Sequence, residues 1–235
     1  MESTAPDTSG QAVEKSSQGV RVIEITWLGH SCFRVKGKEA TLLADPYDES
    51  IGYSLGKPRA NIVTSSHPHP GHGFTSGVGG EPRIVRGPGE YEISGVFITG
   101  IGTFHDAEEG RERGKNTIYL IEMEDMTLCH LGDLGHPLST EQVAEIASVE
   151  VLLVPVGGFS TIDATTATEI VRLLQPRIVI PMHFQTEALR FQLAPVDRFL
   201  REMGIKAGLS AQPRLSITKA GLSEETQVVV LDYRS

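Results

Sequence analysis

Apolar and polar residues alternate over residues 21–28, Arg-Val-Ile-Glu-Ile-Thr-Trp-Leu, the period-two signature of a strand with one buried face. Gly29-His30-Ser31 reads as a tight turn and Cys32-Phe33-Arg34-Val35 as the returning strand, a hairpin with His30 at its corner. Gly37-Lys38 turns the chain again before the apolar run 40–44, which stops at Asp45-Pro46. A further run, Ala60-Asn61-Ile62-Val63-Thr64, leads straight into Ser65-Ser66-His67-Pro68-His69-Pro70-Gly71-His72-Gly73. Short strands are expected around Ile84-Val85 and from Ile93 to Ile101, the second running on to Phe104-His105-Asp106. Residues 116–123 and 126–131 form a hairpin across Glu124-Asp125 that ends at Gly132-Asp133-Leu134-Gly135-His136.

Beyond residue 131 the period changes. Ser139 and Gln142 have the spacing of a capping box and open a helix to about Ala147. Val151 to Val156 is continuously apolar, as in a strand covered on both faces. Asp163 can cap a second helix, whose Ala167, Ile170, Val171 and Leu174 share one face before Pro176 stops it. A strand over 177–180 ends at Pro181-Met182-His183. A third helix starts near Pro195, with Val196, Phe199, Leu200 and Met203 on one side and Gly204 at its end. Strands around 215–218 and 227–231 close the chain. A β-rich meander followed by alternating helix and strand predicts an α/β fold of two packed sheets with helices outside, a four-layer αββα sandwich.

Composition sharpens this only in part. With 39% hydrophobic and 22% charged residues the 235-residue chain has material for a real core, read here as one domain over 21–235 behind a polar tail over 1–20. No apolar run reaches the ~20 residues that span a bilayer, so no membrane association is expected. Cys32 and Cys129 sit in apolar runs and read as buried thiols, and the expected location is cytoplasmic. A formal net charge of −9 argues against nucleic-acid binding, which draws its affinity from Lys and Arg. Small molecules are the expected partners, with a homo-oligomer left open.

The chemistry concentrates in histidine. Of eight in the chain, His67, His69 and His72 fall within six residues directly after a strand. Neutral imidazole is the usual nitrogen ligand of zinc, so a histidine-rich loop closing a strand points to a metal. Pro68 and Pro70 push His67 and His69 toward extended conformations, and Gly71 permits the bend that brings His72 to the same cavity. His105, His183 and Asp133 also close strands. If those ends share one edge, imidazoles and a carboxylate meet there, as two adjacent ion sites require. Asp45, also at a strand end, is either a supporting group or a turn former. His130 lies inside an apolar strand and is not read as a ligand.

Thr26-Trp27-Leu28-Gly29-His30-Ser31, Asp45-Pro46, the His67–His72 loop, His105-Asp106, Arg113-Gly114-Lys115-Asn116-Thr117, Gly132-Asp133-Leu134-Gly135-His136 and Ile180-Pro181-Met182-His183 occur in the order of a known family. The chain resembles the metallo-β-lactamase-fold hydrolases, in their subgroup of metal-dependent hydrolases of uncertain substrate. The resemblance runs from about residue 21 to the C-terminus. It implies an αββα sandwich with metals at the sheet edges: His67, His69 and His105 on a first ion, His72 and His183 on a second, and Asp133 bridging them.

The chain departs from that pattern at Gly71, where the family motif His-x-His-x-Asp-His carries its Asp. Three outcomes follow: a weakened second site, a single metal, or replacement by a carboxylate such as Asp45 or Asp106. The expectation is a well-filled first site and a weak second one, with zinc the expected metal and manganese or iron as alternatives.

The implied activity is hydrolysis of a small ester, lactone, amide or phosphodiester. A bound metal brings the pKa of water from about 15.7 toward 7 and supplies hydroxide as nucleophile. Asp133 is the candidate for positioning that water and His30 for proton transfer, with His136 a lesser candidate. The alternative is a metal- or ligand-binding member of the fold that has lost turnover, with Gly71 the mark of decay. A Ser-His-Asp enzyme is not supported, because no Gly-x-Ser-x-Gly elbow is present.

Overall fold

A computed structural model of the chain describes residues 19–206 and 209–233, so the predicted tail lies, up to residue 18, outside the described residues. Strands β1 (Ile23–Gly29), β2 (Cys32–Lys36), β3 (Thr41–Ala44), β4 (Ile62–Ser65), β5 (Arg83–Arg86), β6 (Gly89–Ile93), β7 (Val96–Phe104), β8 (Lys115–Met123) and β9 (Met126–His130) come first. They are followed by α1 (Thr140–Ile146), β10 (Val151–Pro155), α2 (Ala164–Leu174), β11 (Ile178–Met182), α3 (Val196–Glu202), β12 (Leu215–Ile217) and β13 (Gln227–Val228). A six-stranded sheet runs in the order β12-β1-β2-β3-β4-β5 and a seven-stranded one in the order β13-β11-β10-β9-β8-β7-β6.

The inner faces of the two sheets meet in one apolar cluster. The first sheet contributes Ile25, Trp27, Phe33 and Ile62, and the second Ile98, Ile121, Leu128 and Leu153. The helices cover the outer face of the second sheet, with Ala167, Ile170, Val171 and Leu174 of α2 buried as its apolar stripe requires. β10 and β11 are buried at every position, which accounts for their unbroken apolar runs. Over the outer face of the first sheet the cover is a layer of loop and 3₁₀ turn: Tyr47, Ile51, Tyr53, Leu55, Leu189 and Leu193 pack on Cys32, Leu43 and Val63. Among the described residues no helix is long and apolar enough to cross a membrane.

The capping box stands as expected, the Gln142 N–H donating to Ser139 Oγ and the Ser139 N–H to Gln142 Oε1. One strand needs correction. The stretch from Ile93 to Ile101 is two strands, β6 and β7, because Ser94 (φ 53°) and Gly95 (φ 73°) make a two-residue hairpin turn.

Strand direction decides where the chemistry goes. β1 and β3 both run antiparallel to β2, and β4 is parallel to β3, so β1, β3 and β4 end on the same edge. In the other sheet β7 and β9 both oppose β8, while β10 and β11 run parallel to β9. The residues after these strand ends are His30, Asp45, the His67–His72 loop, His105, Asp133 and His183. Two backbone bonds stitch the edges together: His183 N–H to His30 C=O (3.1 Å) and Thr117 N–H to Ser66 C=O (3.0 Å).

Candidate metal centre

All six residues expected to bind metal converge at this edge, and His30 joins them. One ligand atom from each of His67, His105 and Asp133 lies within 4.8 Å of the others, and the same holds for His67, His69 and His72 and for His30, His72 and His183. Asp133 is the hub: its Oδ2 lies 3.0 Å from Nε2 of His72, 3.3 Å from that of His105 and 3.4 Å from that of His183. Only His69 of the set is exposed; Asp133, His72, His30 and His183 are almost fully buried.

Hydrogen bonds fix which nitrogens are free. The N–H and Oγ–H of Ser66 both donate to Asp45 (2.7 and 2.6 Å), so the contact of 3.0 Å between Ser66 Oγ and His67 must be donated by Nδ1–H of His67. Nε2 of His67 is then a bare lone pair, buried and without a partner among the described residues. Nδ1–H of His72 donates to Asp45 Oδ2 (2.8 Å), which turns Nε2 toward Asp133. Asp45 therefore stands behind a candidate ligand histidine, an arrangement that orients the ring and raises its basicity.

His105 Nδ1, His183 Nδ1, His30 Nδ1 and Asp133 Oδ1 are also buried and have no hydrogen-bond partner among the described residues. Buried polar atoms without partners cost about 1–3 kcal/mol each. Each of these residues can offer one ligand atom to a common centre, and such a group of imidazoles around one carboxylate fits divalent ions.

The other two histidines differ. Gly132 N–H donates to Nδ1 of His130 (3.1 Å), whose Nε2–H donates to Ser31 C=O (2.8 Å). Phe104 N–H donates to Nε2 of His136 (3.2 Å), whose Nδ1–H donates to Pro137 C=O (2.7 Å). Both rings are bonded to backbone, and His136 thereby supports the end of β7. Asp106, a possible substitute ligand, is likewise engaged: its two oxygens accept from the N–H groups of Glu108, Gly110, Glu112 and Arg113 and shape the loop over 106–114.

Electrostatics follow from this packing. Burial and neighbouring imidazoles hold His30, His67, His69 and His105 below the ordinary histidine range, His67 down to about 3, so they are neutral as ligands must be. Burial opposes charge on His72 too, but Asp133 and Asp45 on either side prevail and push it up to about 10. Burial works to raise Asp133, yet His183 and His72 hold it well below the carboxylate range.

The loop itself corrects one expectation. His67 and His69 do not sit in an extended segment: His69 N–H bonds back to His67 C=O, and His72 and Gly73 N–H both reach His69 C=O, so the two prolines stiffen a coil of turns. Nor does Gly71 use the left-handed region; what the site needs from it is the missing side chain, since a Cβ there would stand 3.2 Å from His69 Nδ1 and 3.3 Å from His30 Nε2. Left-handed backbone occurs instead at His30 (φ 54°), Asp45 (φ 44°) and His183 (φ 50°), each the first residue after a strand. Such conformations are uncommon outside glycine and cluster where a site dictates geometry.

The profile of the beta-lactamase superfamily domain matches residues 24–183, a span that begins in β1 and ends at the last candidate ligand. The chain belongs to that superfamily. A UPF0173 protein of Pyrococcus furiosus is 31% identical over 206 residues, covering 77% of this chain and 90% of its own length. A UPF0173 metal-dependent hydrolase of Pyrococcus horikoshii is 26% identical over 197 residues, covering 70% and 86%. Among solved structures, a Thermotoga maritima protein proposed to be a Zn-dependent hydrolase of the metallo-β-lactamase superfamily superposes with a TM-score of 0.74 at 38% identity, over 89% of this chain and 98% of that one. This superfamily member therefore has the metallo-β-lactamase fold and falls among its metal-dependent hydrolases.

Proposed function

We propose that the protein hydrolyses a small ester, lactone, amide or phosphodiester substrate at the strand-end edge where the two sheets meet. The observation that carries this reading is the contact of Asp133 Oδ2 with three imidazole nitrogens at 3.0–3.4 Å, one buried carboxylate shared by ligands on both sides. His67, His69 and His105 with Asp133 would hold a first ion firmly, and His72 and His183 with the same carboxylate a second one more weakly. Zinc suits this imidazole-rich set, with iron or manganese as alternatives. A bound divalent ion supplies Lewis acidity toward the scissile carbonyl or phosphoryl group and a water acidified toward neutral pH.

The chain's own part is positioning. Asp133, buried and held ionised by His183 and His72, is the residue we assign to orient the attacking water, a role its burial and charge support. Its backbone N–H donates to Asn116 Oδ1 (2.9 Å), and Asn116 Nδ2–H₂ donates to Leu131 C=O and Thr103 Oγ1, so the hub is tied to β7, β8 and the residue after β9. Beside His67 a cavity of about 540 Å³ extends between β4 and β8, with Arg86 and Lys115 among its lining residues. That volume holds a small molecule, and the two cations suit a substrate with an anionic end.

The test is a panel of p-nitrophenyl esters, lactones and bis-p-nitrophenyl phosphate, with added zinc and with chelator. Turnover that chelator removes, zinc restores and Asp133→Asn abolishes is expected; zinc-loaded protein inactive on every bond type would contradict the reading. Gly71 favours a second reading, a binding protein that has lost turnover. Activity gained by Gly71→Asp from an inactive parent would support it.

A further inference from the structure

His30 has no place in the ligand set implied by family resemblance, yet it stands inside the cluster. Its ring is 2% exposed and its Nδ1 has no partner among the described residues. The ring centre is 4.3 Å from that of His183 and 4.8 Å from that of His72, and these three residues can each offer an atom to one ion. A Cβ on Gly71 would meet Nε2 of His30 at 3.3 Å, so this imidazole borders the space from which a carboxylate at position 71 would reach inward. The acidic substitutes are taken: Asp45 is bound by His72 and Ser66, and Asp106 by four backbone N–H groups.

We propose that His30 fills the coordination position vacated at residue 71, so that the second ion is held by His30, His72 and His183 with a shared oxygen of Asp133. This rests on the metal-dependent reading above and deepens it. Replacing a carboxylate by an imidazole restores the donor but not the negative charge. The second ion is therefore held, but less tightly than the first. An all-imidazole set plus one shared oxygen also suits zinc, iron or nickel better than manganese or magnesium, which prefer oxygen donors. As a ligand, His30 cannot carry a proton on the coordinating nitrogen, so this assignment replaces the proton-transfer role expected from the sequence. The residue is anchored through its backbone: its C=O accepts from Trp27 Nε1–H (2.9 Å) and from His183 N–H (3.1 Å), leaving the side chain to the ion.

The test is zinc binding, measured by elemental analysis and competition titration on the parent, His30→Asn, His30→Ala and the double variant His30→Asn/Gly71→Asp. Asn tolerates the left-handed backbone at residue 30, and circular dichroism checks the fold of each variant. The parent is expected to bind two equivalents, the second more weakly. His30→Asn and His30→Ala should keep the first and weaken the second by roughly tenfold or more, the scale of losing one supporting group or beyond. Gly71→Asp should restore the second equivalent in the His30→Asn background, and cobalt(II) substitution should show the same pattern in its d–d absorption. Parent-like affinity for the second equivalent in both His30 variants, or a parent that takes only one zinc, would overturn the proposal and leave the hydrolase reading standing. A parent that binds no zinc at all would overturn both.

Discussion

Nδ1 of His72 and Oδ2 of Asp45 lie 2.8 Å apart, with both side chains at 1% exposure or less. The carboxylate comes from the end of β3 and the imidazole from the loop after β4, two parallel neighbours of the first sheet. Asp45→Asn keeps the shape and tolerates the same left-handed backbone but removes the charge behind the ring. Metal affinity should fall about 10–100-fold, the usual cost of losing a supporting carboxylate. Zinc competition titration checks this, and an unchanged affinity would remove Asp45 from the account.

His72 between two carboxylates also sets a pH dependence. Its pKa in the metal-free protein is raised to about 10, so the stability it contributes is fully present below the ordinary value of 6.5 and is lost as pH rises through about 10. Metal-free protein should therefore lose stability between pH 7 and 10, seen as a falling urea midpoint, and His72→Gln should flatten that slope. Because His72 is protonated at neutral pH, an ion that takes its Nε2 must displace a proton. Calorimetric zinc titrations in buffers of different ionisation enthalpy should report about one proton released from this group.

Close backbone approach supports the ligands from behind. A Cβ on Gly135 would lie 2.3 Å from the backbone N of Asp106 and the backbone C of His105. Gly135→Ala cannot be accommodated by rotating a side chain, so it should cost about 1–3 kcal/mol and displace His105. Denaturant unfolding and zinc titration should both move, with loss confined to the first site.

Helix α2 offers a control remote from the metal. Asp163 accepts the Thr166 N–H (2.9 Å) as N-cap. Asp163→Ala should cost about 1 kcal/mol by urea denaturation with zinc binding unchanged.

Much of this was legible because every candidate ligand lies in a loop that closes a strand. The period-two and continuous apolar runs mark the strands, so the residues after them declare themselves as edge residues. Which edge they share depends on strand direction, and the residue order alone does not state it. Asp45 behind His72 is a contact across 27 positions that no local pattern encodes. The β6–β7 turn at Ser94-Gly95 escaped because apolar residues continue on both sides and only two positive φ values break the run. Gly71 read as a bend, while its structural use is space, visible only once His30 and His69 are seen to flank it. The outer cover of the first sheet was hidden as well, since Tyr47, Ile51, Tyr53 and Leu55 bury themselves without helical period.

The most direct measurement is metal content per chain, by elemental analysis, for the parent and for His67→Ala, both purified without chelator. His67 presents a bare, buried Nε2 to the cluster, so the parent should carry at least one equivalent of zinc, iron or manganese and the variant should lose most of it. A folded parent that is metal-free and resists loading would contradict the central claim.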